Sequence, residues 1–127
     1  MGKHMKRDDF WVKKFVDEVL PKIVRSFNPS QVIVFGSRAR GGARESSDLD
    51  VIVVADSFQG VPFLERMPML LKLARFDKHI DFLCYTEEEF RRAKRTSSVV
   101  KSALEEGIVV VDGTAASARG KGAEDRR

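Results

Sequence analysis

Two short runs constrain this chain more than anything else in it. Val32-Ile33-Val34-Phe35 and Val51-Ile52-Val53-Val54-Ala55 are apolar at every position and rich in β-branched side chains. Runs of that length and composition read as buried strands rather than as helices. His79 to Tyr85 and Ile108 to Val111 read as two further strands. Around them lie helical patterns. An apolar stripe from Trp11 to Phe27 predicts a helix that starts near Phe10, is capped by Asp8 or Asp9, kinks at Pro21 and ends at Asn28-Pro29-Ser30. Pro62 to Phe76 predicts a helix with Pro62 in its first turn and Pro68 as an interruption. Thr86 and Glu89 form a capping box that opens one long helix, from about Glu87 to Glu106, stopped by Gly107. The order α-β-β-α-β-α-β implies an α/β or α+β domain, a mixed β-sheet with flanking helices.

The chain's 127 residues, 43% hydrophobic and 33% charged, suit one soluble domain. Its body is expected over residues 8–112. Residues 1–7 are expected to be an N-terminal extension of expression-vector type, and residues 113–127, rich in Gly, Ala and Arg, are expected to be a disordered basic tail. No run approaches a membrane span, and no apolar leader follows the basic start. The single cysteine, Cys84, excludes an intramolecular disulfide, so a cytoplasmic location is expected. The net charge of +4 invites a nucleic-acid reading, but it lies in the two ends, and the body is close to neutral. Nucleic acid is therefore not expected as a direct partner. His4 and His79 have no partners at zinc spacing. Trp11 and Phe15 are expected in the core, and Cys84 as an inert buried thiol. Arg91 to Arg95 is expected to form a solvated helix face.

The chemistry concentrates between the first two strands. The first ends at Gly36-Ser37, where a ligand can approach a backbone without a Cβ, and where free N–H groups and the Ser37 hydroxyl can meet an anion. A phosphate chain is the natural ligand, although the P-loop signature is absent. Arg38 and Arg44 are within reach and are expected to be solvated loop charges. At the other end, Asp48 and Asp50 stand two apart at the start of a strand, which puts them on one face. Paired carboxylates of this kind suit Mg²⁺ shared with substrate phosphates. Asp81 interrupts an apolar strand. If that strand lies beside the one bearing Asp50, the three carboxylates can converge, hold two cations and serve an in-line displacement at phosphorus.

Gly36-Ser37, ten residues, then Asp48-x-Asp50 resembles the signature of the DNA polymerase β-like nucleotidyltransferase superfamily. The form Gly-Ser-x-Ala-Arg-Gly, Gly36 to Gly41, resembles its minimal nucleotidyltransferase branch, whose small members are often antitoxins paired with a helical HEPN-type partner. The resemblance implies a polymerase β-like fold over the body. It implies catalytic, Mg²⁺-binding roles for Asp48, Asp50 and Asp81, with two ions. It implies that Gly36 and Ser37 bind the phosphates of ATP or another NTP, and it matches Arg40 to the motif arginine. The implied reaction moves a nucleoside monophosphate, AMP in the adenylyltransferase case, to a hydroxyl on the partner. The short body implies that another chain, in a homo- or hetero-oligomer, supplies the acceptor-binding surface. A non-catalytic module that neutralises a toxin by covering it is the competing reading. A small-molecule transferase of aminoglycoside type comes next, and a nucleic-acid polymerase is weakest.

Overall fold

A computed structural model describes residues 9–113. Asp8, the extension over residues 1–7 and the tail beyond Gly113 lie outside the described residues. Four strands, β1 (Gln31–Phe35), β2 (Leu49–Val54), β3 (Ile80–Tyr85) and β4 (Ile108–Asp112), form one sheet in the order β3-β2-β1-β4. β1 runs antiparallel to β2 and β4, whereas β2 and β3 are parallel. The sheet is mixed, as the element order implies. The helices are α1 (Phe10–Glu18), α2 (Leu20–Phe27), α3 (Ser37–Arg40), α4 (Phe63–Ala74), α5 (Glu87–Thr96) and α6 (Ser98–Glu106), with a 3₁₀ turn at Asp56–Phe58. No described helix is long and apolar enough to cross a membrane.

Strand alternation explains why the central runs contain no polar residue. Val32, Val34, Val51, Val53, Phe82 and Cys84 turn to one face and pack with Phe15, Ile23 and Leu70 of α1, α2 and α4. Ile33, Ile52 and Val54 turn to the other and meet Phe90 and Ala93 of α5 and Val100 and Ala103 of α6. Both faces are covered, so Val32 to Val34 and Val51 to Ala55 are buried at every position. Cys84 is buried as expected, and burial pushes its thiol up to about 12.

Three helix boundaries differ from the sequence expectation. The Trp11–Phe27 stripe is two helices divided at Val19, with Pro21 in the first turn of α2. Its missing N–H is harmless there, so the proline starts a helix rather than kinking one. Asp9 caps α1, its Oδ1 accepting from the N–H groups of Trp11 and Val12 at 2.9 and 3.1 Å. The long helix after Thr86 is also two, divided at Ser97. Extended backbone there lets the Ser97 hydroxyl accept from the N–H of Val100 at 3.2 Å and start α6 afresh. As a result α5 packs against β3 and α6 against β1. Pro68 lies inside α4 without ending it, on the helix's exposed side. Gly107 ends α6 with φ −82°, so it is no left-handed cap. It is small because a Cβ would press within 2.9 Å of the Val34 carbonyl of β1.

The Thr86–Glu89 capping box forms as expected. Glu89 also receives the buried Arg66 of α4, at 2.6 Å from Nη1. Arg66 further donates to the carbonyls of Val61 and Cys84. The Arg66 hydrogen bond holds the Glu89 carboxyl below its ordinary range.

Candidate active site

β1 ends where Gly36 takes φ +80° and ψ −164°, a region open essentially to glycine alone. A Cβ here would overlap Oδ2 of Asp50, so the Gly36 backbone lies directly against that carboxylate. Strand pairing causes the approach. Phe35 stands opposite Asp50 in the antiparallel β1–β2 register, and Asp50 stands beside Asp81 in the parallel β2–β3 register. The two ends of the Gly-Ser…Asp-x-Asp segment are thereby brought together, and the third carboxylate joins them across the next strand.

Asp50 is half-buried, whereas Asp48 and Asp81 are exposed. Its carboxyl is pushed above the ordinary 3.8, first by burial and then by the negative charges of Asp81 and Asp48. Arg40 and His79 pull it the other way. Among the described residues, no group of three His, Cys, Asp or Glu side chains stands ready to hold a metal ion by itself. The acids still fit Mg²⁺. That ion takes one or two carboxylates and completes its shell with phosphate oxygens and water, and a cation would relieve the repulsion centred on Asp50.

Ser37 opens α3, a single tight turn in which the N–H groups of Ala39 and Arg40 both donate to the Gly36 carbonyl at 3.0 Å. Arg40 is exposed and forms a loose ion pair with Glu106 of α6, at 3.8 Å. Of the two arginines expected to be solvated, Arg44 is exposed but Arg38 is buried. Arg38 donates to Oδ2 of Asp9 at 2.9 Å and to the carbonyls of Arg44, Glu45 and Ser47 at 2.8, 3.0 and 2.9 Å. It braces the loop leading into Asp48. Its single-sequence signal was weak, because the carboxylate it needs lies 29 positions earlier. His79 is exposed, and its carbonyl accepts from the N–H of Leu49, between Asp48 and Asp50, at 3.1 Å, which opens the β2–β3 ladder there.

A cavity of about 270 Å³ opens beside Gly36, between the end of β1, Arg40 and α6. Sequence reasoning took only the apolar side of that helix and missed Ser98, Ser102 and Glu106, which also line the cavity. Their four-residue spacing was the available signal.

Residues 16–110 match the family described as nucleotidyltransferase domain. The protein adenylyltransferase MntA of Thermococcus cleftensis is 32% identical over 82 residues, a span that is 65% of this chain and 66% of that relative, just short of two thirds. A crystal structure of a candidate nucleotidyltransferase from Sulfolobus solfataricus superposes with a TM-score of 0.57 at 24% identity, over 86% of this chain and 87% of that one. This likeness is one of fold.

Proposed function

The chain belongs to the nucleotidyltransferase domain family, and from that premise we propose that it moves AMP from ATP to a hydroxyl group on a partner protein. The observation that carries the reading is the placement of Asp50. It has Asp81 beside it in register, Asp48 two residues before it, and the Gly36 backbone against its carboxylate. Carboxylates on one side of a backbone that admits no side chain make a place where a phosphate can be reached from two directions.

In this reading Gly36 and Ser37 lie along the β- and γ-phosphates, and Arg40 supplies a positive charge at the same turn. Asp48, Asp50 and Asp81 would hold Mg²⁺, two ions by family resemblance. When bound, the metal neutralises phosphate charge and eases deprotonation of the acceptor hydroxyl. The new bond joins the acceptor oxygen to the α-phosphorus. The bond to the bridging oxygen breaks, pyrophosphate leaves, and the hydroxyl proton passes to the carboxylate cluster on the Asp81 side. A protein acceptor is favoured by the name of the Thermococcus relative. A HEPN-type toxin subunit, with this chain as its antitoxin, is the acceptor the sequence resemblance suggests.

The test is direct. The chain, Mg²⁺ and ATP are incubated with a HEPN-type helical protein as the proposed partner, and that protein is read by mass spectrometry. An AMP adduct on a hydroxyl side chain is expected. Asp48→Asn should abolish the adduct while leaving the circular dichroism spectrum unchanged. A bound partner that stays unmodified, or an Asp48→Asn protein that remains fully active, would refute the reading.

A further inference from the structure

Residues 90–104 hold Arg91, Arg92, Lys94, Arg95 and Lys101 and no acidic residue. They cover the second half of α5, the break at Ser97 and most of α6. All of these cations are exposed. Arg92 pairs with Glu88, one turn earlier, at 3.1 Å. Among the described residues, Arg91, Lys94, Arg95 and Lys101 have no carboxylate partner. Arg91 and Arg95 stand four apart on one helix, where like charges repel.

Helix electrostatics account for part of this pattern. Lys94 and Arg95 lie in the last turn of α5, where the macrodipole favours cations. They do not account for Arg91, in the middle of α5, or for Lys101, in the first half of α6. The opening of a helix favours acids, and α5 opens with Glu87, Glu88 and Glu89. The first turn of α6 has none. Positive charge at this corner is therefore held against helix preference and left without a counter-charge. Such a surface is complementary to an acidic one.

The corner lies beside the carboxylates. Ile52 and Val54 of β2, with Leu83 and Tyr85 of β3, pack with α5 and α6. Alternation puts Asp50 and Asp81 on that same sheet face. α5 starts just after β3 and packs back on it, so its last turn lies toward the Asp81 end of the strand. Ser98, the first residue of α6, lines a cavity with Gly36, whose backbone lies against Asp50. A molecule docked on the outer side of α5 and α6 reaches Asp81 without crossing the sheet.

We propose that the outer side of α5 and α6 is the docking face for the acceptor, an acidic protein surface that carries the hydroxyl to be modified. The proposal rests on the AMP-transfer reading and deepens it. Arg91, Arg95 and Lys101 are the charged contacts, and Val99 and Leu104, both exposed, are the aliphatic ones. A charged surface interleaved with aliphatic side chains suits a protein partner. Nucleic acid is the poorer fit. Phe90, the aromatic residue of these two helices, is buried, so no ring stands out on which a base can stack.

The test follows AMP transfer to the HEPN-type helical protein as its concentration is varied, at low and at high salt. The wild-type KM for that protein should rise with salt. Arg91→Glu, Arg95→Glu and Lys101→Glu together should raise this KM about tenfold or more at low salt and flatten its salt dependence. They should leave kcat and the binding of Mg²⁺ and ATP unchanged. The three corresponding glutamine substitutions, which keep helix propensity, should shift KM the same way by less. Lys13→Glu, Arg25→Glu and Lys72→Glu make the same change of net charge at exposed positions of α1, α2 and α4, across the sheet. This control should keep the wild-type KM. A charge-reversed face with wild-type KM overturns the proposal and leaves the transfer reading standing. So does a control that raises KM equally, because net charge rather than this face would then be at work. Tighter binding of a folded RNA hairpin than of the helical protein, lost on charge reversal of the face, overturns it as well. If wild type leaves the helical protein unmodified, the transfer reading falls, and calorimetry of the two proteins decides docking alone. Binding that weakens with salt and is lost on charge reversal sustains the proposal, and any other result overturns it.

Discussion

Gly36 is the residue at which the site is least tolerant. Its backbone lies where any side chain adds strain of roughly 1–3 kcal/mol, and a Cβ would push on the Asp50 carboxylate. Gly36→Ala should still fold, with a lowered melting temperature. Displacing Asp50 by even about 1 Å should reduce AMP transfer on the order of a hundredfold. A transfer assay beside a thermal melt separates the two effects, and a Gly36→Ala protein with wild-type activity would show that Asp50 does not need its present position. This residue was legible in the sequence, because a glycine that closes a β-branched run ahead of a serine carries its own backbone signal. The reason for it was not legible, since Asp50 meets Gly36 only through strand pairing.

Among the elements, the loop between α3 and β2 owes its shape to Arg38. One guanidinium holds three carbonyls of that loop and the carboxylate of Asp9, and the other oxygen of Asp9 caps α1. Three segments therefore meet at one buried cation. Lysine, with one ammonium in place of a planar fork, cannot span these partners. Arg38→Lys should lower stability by about 2–4 kcal/mol and open residues 41–47 to limited proteolysis. Arg44→Ala, at an exposed position of the same loop, should change stability by less than about 0.5 kcal/mol. Urea denaturation of the two variants checks the contrast, and equal effects would remove the assignment of Arg38 as the brace. The break at Ser97 belongs to this scale as well. A hydroxyl-rich Thr96-Ser97-Ser98 stretch contains a cap, but helical periodicity runs through it. The packing of α5 on β3 and of α6 on β1 decides for two helices.

At the scale of the whole molecule, the carboxylate cluster works against the fold that holds it. Asp50 keeps its proton more tightly in the folded chain than at the ordinary 3.8. Its favourable contribution is therefore full below pH 3.8 and is lost as pH rises through the raised folded value. At neutral pH its charge opposes folding. Asp50→Asn should accordingly melt at a higher temperature than wild type in chelator-treated buffer. Addition of Mg²⁺ and ATP should raise the wild-type melting temperature and leave Asp50→Asn nearly unmoved, because only a ligand bound to the folded state stabilises it. Differential scanning fluorimetry reads both differences. An Asp50→Asn protein that melts below wild type without metal would contradict the electrostatic account.

The sequence by itself determined the strands, the mixed sheet class and the residues with chemical promise. Those features are local: β-branched runs, a glycine at a strand end, and carboxylates at a spacing of two. It also located the excess charge at the two ends, which set aside nucleic acid as the obvious ligand. Only the tertiary structure decided that Asp81 stands in register with Asp50, that Gly36 touches the Asp50 carboxylate, and that Arg38 is buried. It also decided that α6 walls a cavity beside them. These are contacts between positions far apart in the chain, and no period or spacing encodes them. They follow from which strand pairs with which, and that pairing is settled by covering both faces of the sheet at once.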